Sequence, residues 1–300
     1  MRFDRLLTLG IFGPVQRSGI SARDKCLPVL MYHSISESLE SDISPYYRVC
    51  TSPKRFADHM SCLANNGWTG VTLRKGLESL DHSSKLSSKL VAITFDDGFR
   101  DFYSTAFPIL KAHGFSATMY LPTAHIGESS LEFKGRQCMT WGEVAELHRE
   151  GIEFGSHTVN HPVLYELPLT DIESELAISR KRIEEVLNSE CRAFAYPYAF
   201  PQTDAPFVQK FSDMLSRLGY TTGVTTMVGR VDASDNRLLL KRLPVNESDD
   251  WSLLEAKLHG AYDWLGVPQA IIKRARWWIR SRGRSKLSEG KSTMKQGAKT

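Results

Sequence analysis

Short apolar runs alternate along the chain with stretches in which apolar residues recur every three or four positions. An apolar run rich in β-branched residues, such as residues 90–95, predicts a buried strand. The longer periodicity, as in Phe56, Met60 and Leu63, predicts an amphipathic helix. Seven or eight such strands alternate with helices between about residues 27 and 245, with no internal repeat. Because strands joined through helices run parallel, this alternation predicts an α/β fold with a parallel sheet.

Polar residues mark the positions at which several of the predicted helices begin. Ser52 stands directly before a proline, which is the arrangement of an N-cap residue and a first helical position. Thr140 and Glu143 have the spacing of a capping box, and so do Thr170 and Glu173. We therefore expect all three segments to start helices with a capped first turn.

The polar residues suited to chemistry follow the carboxyl ends of predicted strands, at His33, Asp96, Asp97 and His157. A (β/α) barrel builds its site from residues at this end of its strands, and a doubly wound sheet does the same. Their position therefore predicts a site without distinguishing the two folds. The stretch of residues 122–139 is predicted as a long loop, and loops of that length are often functional.

The net charge of +4 hides an uneven distribution. Residues 271–300 carry ten Lys or Arg and one acid, a balance of +9, whereas the other 270 residues carry 28 basic and 33 acidic residues, a balance of −5. A protein that binds nucleic acid would carry its basic residues on the folded surface, so this class is excluded. The basic end has two interpretations: an amphipathic segment around Trp277 and Trp278 that lies on an anionic membrane, or a solvated tail.

Cysteine usage and the N-terminus both favour a cytoplasmic protein. The five cysteines have no C-x-x-C spacing, which favours reduced thiols over a disulfide framework. The apolar run of residues 6–15 resembles a weak signal sequence, but Asp4 and Pro14 interrupt the pattern. No run reaches the roughly 18 apolar residues of a membrane span.

Two histidines four residues apart, His157 and His161, are spaced so that both imidazoles could reach one metal ion. One carboxylate of the Asp96–Asp97 pair would complete a His₂Asp set, which leaves the fourth position of a tetrahedral site for water. The other carboxylate would then be free to accept a proton. The alternative is an Asp-Gly turn beside two surface histidines. The remaining histidines lack partners at ligand spacing and are interpreted as surface residues: His59, His82, His113, His125, His148 and His259.

Three segments, residues 94–98, 156–162 and 194–198, match in order and spacing the first three motifs of one enzyme family. The chain resembles the polysaccharide deacetylases, the NodB-homology group also called carbohydrate esterase family 4, over roughly residues 27–245. The resemblance implies a distorted (β/α)₇ barrel. It also implies hydrolysis of an N-acetyl group on an N-acetylhexosamine, in a polysaccharide or its precursor, with release of acetate.

The resemblance assigns roles to the motif residues. It implies that Asp96 is the catalytic base. It implies a divalent metal, Zn²⁺ before Co²⁺, Ni²⁺ or Fe²⁺, held by Asp97, His157 and His161. The third motif is implied to line the substrate groove through Tyr196, Pro197 and Tyr198, with the Tyr198 N–H in the oxyanion hole.

The chain departs from the family pattern at several positions. Many members carry a late-motif histidine, and residues 239–245 contain none. His33 lies in a Met-Tyr-His sequence that resembles the subgroup in which this motif is at the N-terminus, so His33 is predicted as the general acid; the alternative is a core histidine. Ala195 stands where many members have an arginine that orients the base, and Arg242 is predicted to replace it. Ala199 stands where the third motif usually continues with glycine.

These patterns predict four parts: an extension at residues 1–26, the barrel at 27–250, a helical basic and aromatic segment at 251–280, and a disordered tail at 281–300. Two alternatives to N-deacetylation stay open. The departures from the motifs would suit a carbohydrate-binding or membrane-associated protein that keeps the fold without catalysis. The same site would also suit an O-acetyl esterase or another amidase.

Overall fold

The structure is a computed structural model that describes residues 3–14, 26–38, 40, 43, 48–82, 89–266 and 268–269. The predictions for the disordered tail and for the basic segment from residue 271 onward lie outside the described residues. Among the residues that are described, no helix combines the length and the apolar character needed to cross a bilayer.

Eight parallel strands form the main sheet, and seven of them close into a barrel. They are β1 (Val29–Tyr32), β2 (Trp68–Val71), β3 (Lys89–Phe95), β4 (Thr118–Leu121), β5 (Glu153–Ser156), β6 (Ala193–Ala195), β7 (Thr222–Val228) and β8 (Leu240–Pro244). The sheet order is β1-β8-β7-β6-β5-β4-β3-β2, and an additional pairing of β1 with β3 closes the ring. Strand β2 pairs only with the first half of β3. The predicted distorted (β/α)₇ barrel is therefore confirmed.

Helices surround the barrel and connect its strands. They are α1 (Phe3–Leu7), α2 (Pro53–Asn65), α3 (Leu73–His82), α4 (Phe107–Ala112), α5 (Trp141–Arg149), α6 (Leu169–Leu187), α7 (Ala205–Arg217) and α8 (Trp251–Leu258). One turn of π-helix extends α1 over Thr8–Phe12, and another, Phe102–Ala106, precedes α4. Short 3₁₀ turns occupy Thr123–His125, Leu164–Glu166 and Asp263–Leu265.

Side chains alternate along each strand between the barrel interior and the surrounding helices, as the pleat requires. The inward residues near the start of the strands, such as Val29, Ala92 and Leu240, form an apolar cluster with the leucines of α3. The next inward residues on β3 and β8 are polar, and they include Arg242. The barrel interior thus has an apolar floor and a polar upper layer, and the candidate site lies at that upper end.

Two of the three predicted helix caps are present. Ser52 accepts a hydrogen bond from the Arg55 N–H at 3.2 Å, and Thr140 and Glu143 form a complete capping box. The box predicted at Thr170 is wrong, because α6 begins at Leu169, directly after Pro168, and no side chain caps it. Proline already fixes the backbone at that position, so the helix starts before Thr170 can serve as its cap.

Two further expectations are corrected by the structure. His59 is buried rather than exposed; its ring lies 3.0 Å from the Tyr32 hydroxyl and 2.6 Å from the Asp249 carbonyl oxygen. The predicted loop of residues 122–139 contains a β-hairpin, Glu132–Phe133 with Arg136–Gln137. The N-terminal extension is helical over residues 3–14 and packs on the domain. All five cysteines are free thiols.

Replacing Thr140 with alanine should lower the free energy of unfolding by about 1 kcal/mol, because the first turn of α5 loses its cap. The matched control is Thr170→Ala, which removes the same hydroxyl where no cap exists and should change stability by less than about 0.5 kcal/mol. Urea denaturation of both variants measures the difference. Equal effects would show that the capping box does not stabilise α5.

Candidate functional site

Three side chains from two loops meet above the barrel. Asp97 follows β3, and His157 and His161 follow β5. The Asp97 carboxylate lies 3.2 Å from His161 Nε2 and 3.7 Å from His157 Nε2. The ligand atoms of the three residues all lie within 4.8 Å of one another, and all three residues are buried. The sequence prediction that these residues converge is therefore met by the geometry.

The loop after β5 is fixed by hydrogen bonds on both sides. His157 donates from Nδ1 to the Ala195 carbonyl oxygen at 2.8 Å, which leaves Nε2 facing Asp97. His161 donates its backbone N–H to the Thr158 hydroxyl at 2.9 Å. The Glu175 carboxylate, on α6, accepts the backbone N–H groups of residues 159 and 160 at 2.8 and 2.9 Å. Contacts from β6 and α6 thus hold the His157 imidazole and the backbone of the loop that carries His161.

Backbone strain concentrates in these loops. Six non-glycine residues have a positive φ in the part of the chain that the structure describes. Five of them belong to the site: Asp97, Lys134, Thr158, His161 and Tyr198. A positive φ is costly for a residue with a Cβ, and such residues persist only where the surroundings determine the conformation. Packing around the site therefore holds these residues in place.

The electrostatics suit a cation. Burial lowers the pKa of His157 to about 3, so its imidazole is neutral and has a lone pair to offer. Burial alone would raise the pKa of Asp97, but the hydrogen bond to His161 and the nearby positive groups hold it far below its usual range. A carboxylate and two imidazoles are a donor set that suits zinc and similar divalent ions. The residues present therefore fit a metal ion.

Asp96 faces a different partner. Arg242, on β8, donates from both terminal nitrogens to the two Asp96 oxygens at 2.7 Å each. Its Nε donates to the Thr225 carbonyl oxygen at 3.0 Å, and the side chain is fully buried. Burial raises the pKa of Asp96, but Arg242 and His157 outweigh that effect and lower it to about 2. Asp96 is therefore ionised and oriented, and Arg242 lies where the sequence analysis expected a base-orienting arginine.

His33 lies on the other side of Asp96. Its Nε2 is 3.9 Å from the Asp96 carboxylate, and its side chain remains partly accessible. Burial lowers the pKa of His33, against the opposing effect of Asp96 and Asp97. His33 thus shares the groove with Asp96 without a direct hydrogen bond.

The third motif divides between the core and the groove. The Tyr196 ring packs edge-on against Phe200 and Phe211 in the core, and Pro197 is buried. The Tyr198 ring is half exposed and lies 4.5 Å from the His161 ring. Of the three residues predicted to contact substrate, only Tyr198 therefore presents its side chain to the groove.

The hairpin of residues 132–137 is a part of the site that the sequence analysis missed. Its tip residue Lys134 places Nζ 3.1 and 3.2 Å from the two Asp97 oxygens. Phe133 stacks on His125 at 4.1 Å and lies 5.3 Å from the His161 ring. In the sequence, the Lys-Gly pair at 134–135 was the available signal for a tight hairpin turn. In the structure, both residues have a positive φ.

The fold and the site together define a class of protein. A closed parallel barrel carries two buried carboxylates with separate partners and two imidazoles at the carboxyl ends of its strands. Polar side chains gathered at the carboxyl ends of the strands are typical of enzymes with a (β/α) barrel.

Comparisons with known proteins identify the family within this class. Residues 83–222 match the polysaccharide deacetylase family. The chain is 30% identical over 220 residues to YxkH of Bacillus subtilis (strain 168), which carries the provisional name of a polysaccharide deacetylase; the match covers 73% of this chain and 71% of YxkH. The chain therefore belongs to the polysaccharide deacetylase family, and it is an enzyme of the hydrolase class.

Further relatives agree with this assignment. The poly-β-1,6-N-acetyl-D-glucosamine N-deacetylase of Staphylococcus aureus (strain MSSA476) is 27% identical over 169 residues, 53% of this chain and 57% of the relative's length. The Streptococcus pyogenes deacetylase PplD, solved with acetate, aligns with a TM-score of 0.65 and 26% identity, covering 78% of this chain and 98% of PplD. IcaB of Ammonifex degensii has the same fold, with a TM-score of 0.64 and 24% identity over 78% of this chain and 97% of IcaB.

Lys134→Met should strengthen binding of a divalent ion on the order of tenfold. The ammonium and the ion would compete for Asp97, and two positive charges a few Å apart repel by several kcal/mol, part of which is relieved when the lysine moves into water. Isothermal titration with Co²⁺ or Zn²⁺ measures the affinity. The matched control is Lys111→Met, which removes a surface ammonium paired with Glu150 and should leave the affinity unchanged. Weaker binding to Lys134→Met would show that Lys134 supports Asp97 instead.

Arg242→Met should lower the free energy of unfolding by about 3–5 kcal/mol, because it leaves the Asp96 carboxylate buried without its partner. The double variant Asp96→Asn/Arg242→Met should recover part of this loss, since the buried charge is then absent. A double-mutant cycle by chemical denaturation measures the coupling. Additive losses in the double variant would contradict a strong interaction between the two side chains.

Proposed function

We propose that the protein is a metal-dependent N-deacetylase that hydrolyses the acetamide of an N-acetylhexosamine in a polysaccharide or its precursor and releases acetate. The observation that carries this proposal is the separation of two adjacent carboxylates. Asp97 faces two imidazoles, whereas Asp96 faces Arg242 and His33. Hydrolysis of an amide needs one group that binds a Lewis acid and another that accepts a proton, and this arrangement supports both roles.

Asp97, His157 and His161 would hold the metal ion, with Zn²⁺ first and Co²⁺, Ni²⁺ or Fe²⁺ as alternatives. When bound, such an ion lowers the pKa of water and polarises a carbonyl oxygen. The hydrogen bond from His157 Nδ1 to Ala195 supports this role, because it fixes the tautomer that leaves Nε2 unprotonated.

Asp96 is proposed as the base that accepts the proton of the attacking water. Arg242 holds both of its oxygens, so the carboxylate is ionised and cannot rotate away from the groove. The Tyr198 backbone N–H is proposed to donate a hydrogen bond to the oxyanion that develops on the acetamide, since donors fixed in advance stabilise that charge most effectively.

His33 is proposed to protonate the leaving amine. Burial lowers its pKa, so the imidazole has to gain its proton during turnover. Asp96, 3.9 Å away, is the group that could supply it after accepting a proton from water. This exchange would return Asp96 to its ionised state for the next cycle.

The positions of His33 and Arg242 also bear on the non-catalytic alternative. That alternative rested on the missing late histidine, on Ala195 and on Ala199. The position of His33 supports an acid beside Asp96, and that of Arg242 supports a cation that orients the base. Both positions favour the catalytic proposal, and they do not bear on Ala199.

The substrate is proposed to be an N-acetylated polysaccharide, in keeping with the name of the staphylococcal relative, poly-β-1,6-N-acetyl-D-glucosamine N-deacetylase. The half-exposed Tyr198 ring beside His161 would provide a surface for a sugar ring at the metal site. We further propose that the basic segment from residue 271 approaches an anionic membrane surface. A cytoplasmic location stays a prediction.

Asp96→Asn should abolish acetate release from N-acetylated oligosaccharides, with a loss of at least about 10³-fold in kcat, because the amide cannot accept the proton of water. Metal binding by calorimetry should be retained, since Asp96 is not among the three ligands. The matched variant Asp97→Asn should lose both acetate release and metal binding. Wild-type-like turnover by Asp96→Asn would rule out the proposed base, and faster release from O-acetyl than from N-acetyl sugars by the wild-type protein would favour an esterase.

A further inference from the structure

The N-terminal helical segment, residues 3–14, packs on the domain with its polar side inward. Asp4 and Thr8, one helical turn apart, are both buried. Asp4 accepts a hydrogen bond from the Tyr262 hydroxyl at 2.7 Å, and Thr8 accepts one from Trp264 Nε1 at 3.1 Å. Arg5 forms a bidentate pair with Asp250, also at 2.7 Å. Polar contacts therefore fix the orientation of this segment.

The apolar side of the same segment faces outward. Phe3 is 70% exposed, Leu6 48% and Ile11 53%. A helix on a soluble domain normally buries its apolar stripe and exposes its polar one. This segment instead buries Asp4 and Thr8 while it exposes three large apolar side chains, and exposed apolar side chains of this kind mark a site of contact with another apolar phase.

The described part of the chain that precedes the basic end contacts this helical segment. Trp264 stacks on Phe12 with ring centroids 5.1 Å apart and planes 7° apart. Lys273, the first basic residue of the segment with a charge of +9, follows Trp264 by nine positions. Nine residues span at most about 30 Å, so the basic segment begins within that distance of Trp264 and of the helical segment against which Trp264 stacks.

We propose that Phe3, Leu6 and Ile11 form the apolar part of a surface that binds the interface of an anionic lipid bilayer. Apolar side chains that enter the acyl boundary and a nearby cluster of Lys and Arg that attracts anionic headgroups are the two components of interfacial membrane binding. The inference builds on the membrane approach of the basic segment proposed above, and it assigns the apolar contact to a different part of the chain.

A second copy of the chain suits this surface less well. Two copies meeting here would bring two segments of +9 together. Three side chains also offer a contact area much smaller than the roughly 800 Å² that each partner buries in a stable interface. An anionic bilayer matches both the apolar side chains and the charge.

Co-sedimentation of the full chain with vesicles tests the proposal. The vesicles contain phosphatidylglycerol and phosphatidylcholine, or phosphatidylcholine alone. The variant Phe3→Ser/Leu6→Ser/Ile11→Ser keeps the inward polar contacts and should bind anionic vesicles at least tenfold more weakly. The matched control is Ile178→Ser. Ile178 lies on α6, outside this surface, and is 57% exposed, so vesicle binding by this variant should be unchanged. Phe3→Ser and Ile11→Ser alone provide smaller changes if the triple variant does not fold.

The outcomes separate this inference from the proposals it accompanies. Wild-type-like vesicle binding by the triple variant would overturn it. Vesicle binding that is lost only when the basic residues at 273, 274, 276 and 280 become glutamine would support membrane contact by the basic segment. That result would overturn the role inferred here for Phe3, Leu6 and Ile11. If light scattering shows that the wild-type protein is a dimer and that the triple variant is a monomer, the surface binds a second copy of the chain and the membrane inference is overturned. Acetate release from a soluble oligosaccharide should be equal in all variants, so the deacetylase proposal is tested independently.

Discussion

The candidate site depends on the buried ion pair between Arg242 and Asp96. Two adjacent carboxylates, each only 2% exposed, lose their hydration and repel each other. Asp97 has the imidazoles of His157 and His161 beside it, whereas both oxygens of Asp96 are bound by Arg242. The guanidinium of Arg242 is positive at any physiological pH and fits both oxygens of one carboxylate. Without it, Asp96 would be expected to take up a proton and lose its use as a base.

This pair in turn requires the barrel to close. The two residues are 146 positions apart in the chain and lie on β3 and β8, with β1 between them in the sheet. Both side chains point inward because they continue the alternation of Ala92 and Leu240 along their strands. A shift of one residue in either strand would direct one side chain towards the helices instead. The register of the closing strands therefore determines the electrostatics of the site.

The sequence could predict the parts of the molecule that depend on local pattern. Alternating strands and helices predicted a parallel α/β fold, the family resemblance implied the barrel, and motif spacing predicted that Asp97, His157 and His161 meet. Several failures share a physical cause, because they depend on neighbours that are distant in the chain. His59 is buried by contacts from Tyr32 and Asp249, and α1 faces inward with its polar side because Tyr262 and Trp264 provide partners there. The spacing of polar and apolar residues along the chain does not predict such partners.

The proposal that His33 takes the place of a late-motif histidine is consistent with the geometry of a closed barrel. Strand β1 pairs in parallel with β8, with Leu30 beside Leu243 and Met31 beside Pro244. Val245, just beyond β8, donates its N–H to the Met31 carbonyl oxygen at 3.0 Å. A residue after the first strand and a residue after the last strand therefore occupy neighbouring places on the rim, although they are more than 200 positions apart in sequence. In an open sheet these ends would lie on opposite edges, and an acid could not move from one to the other while still facing Asp96.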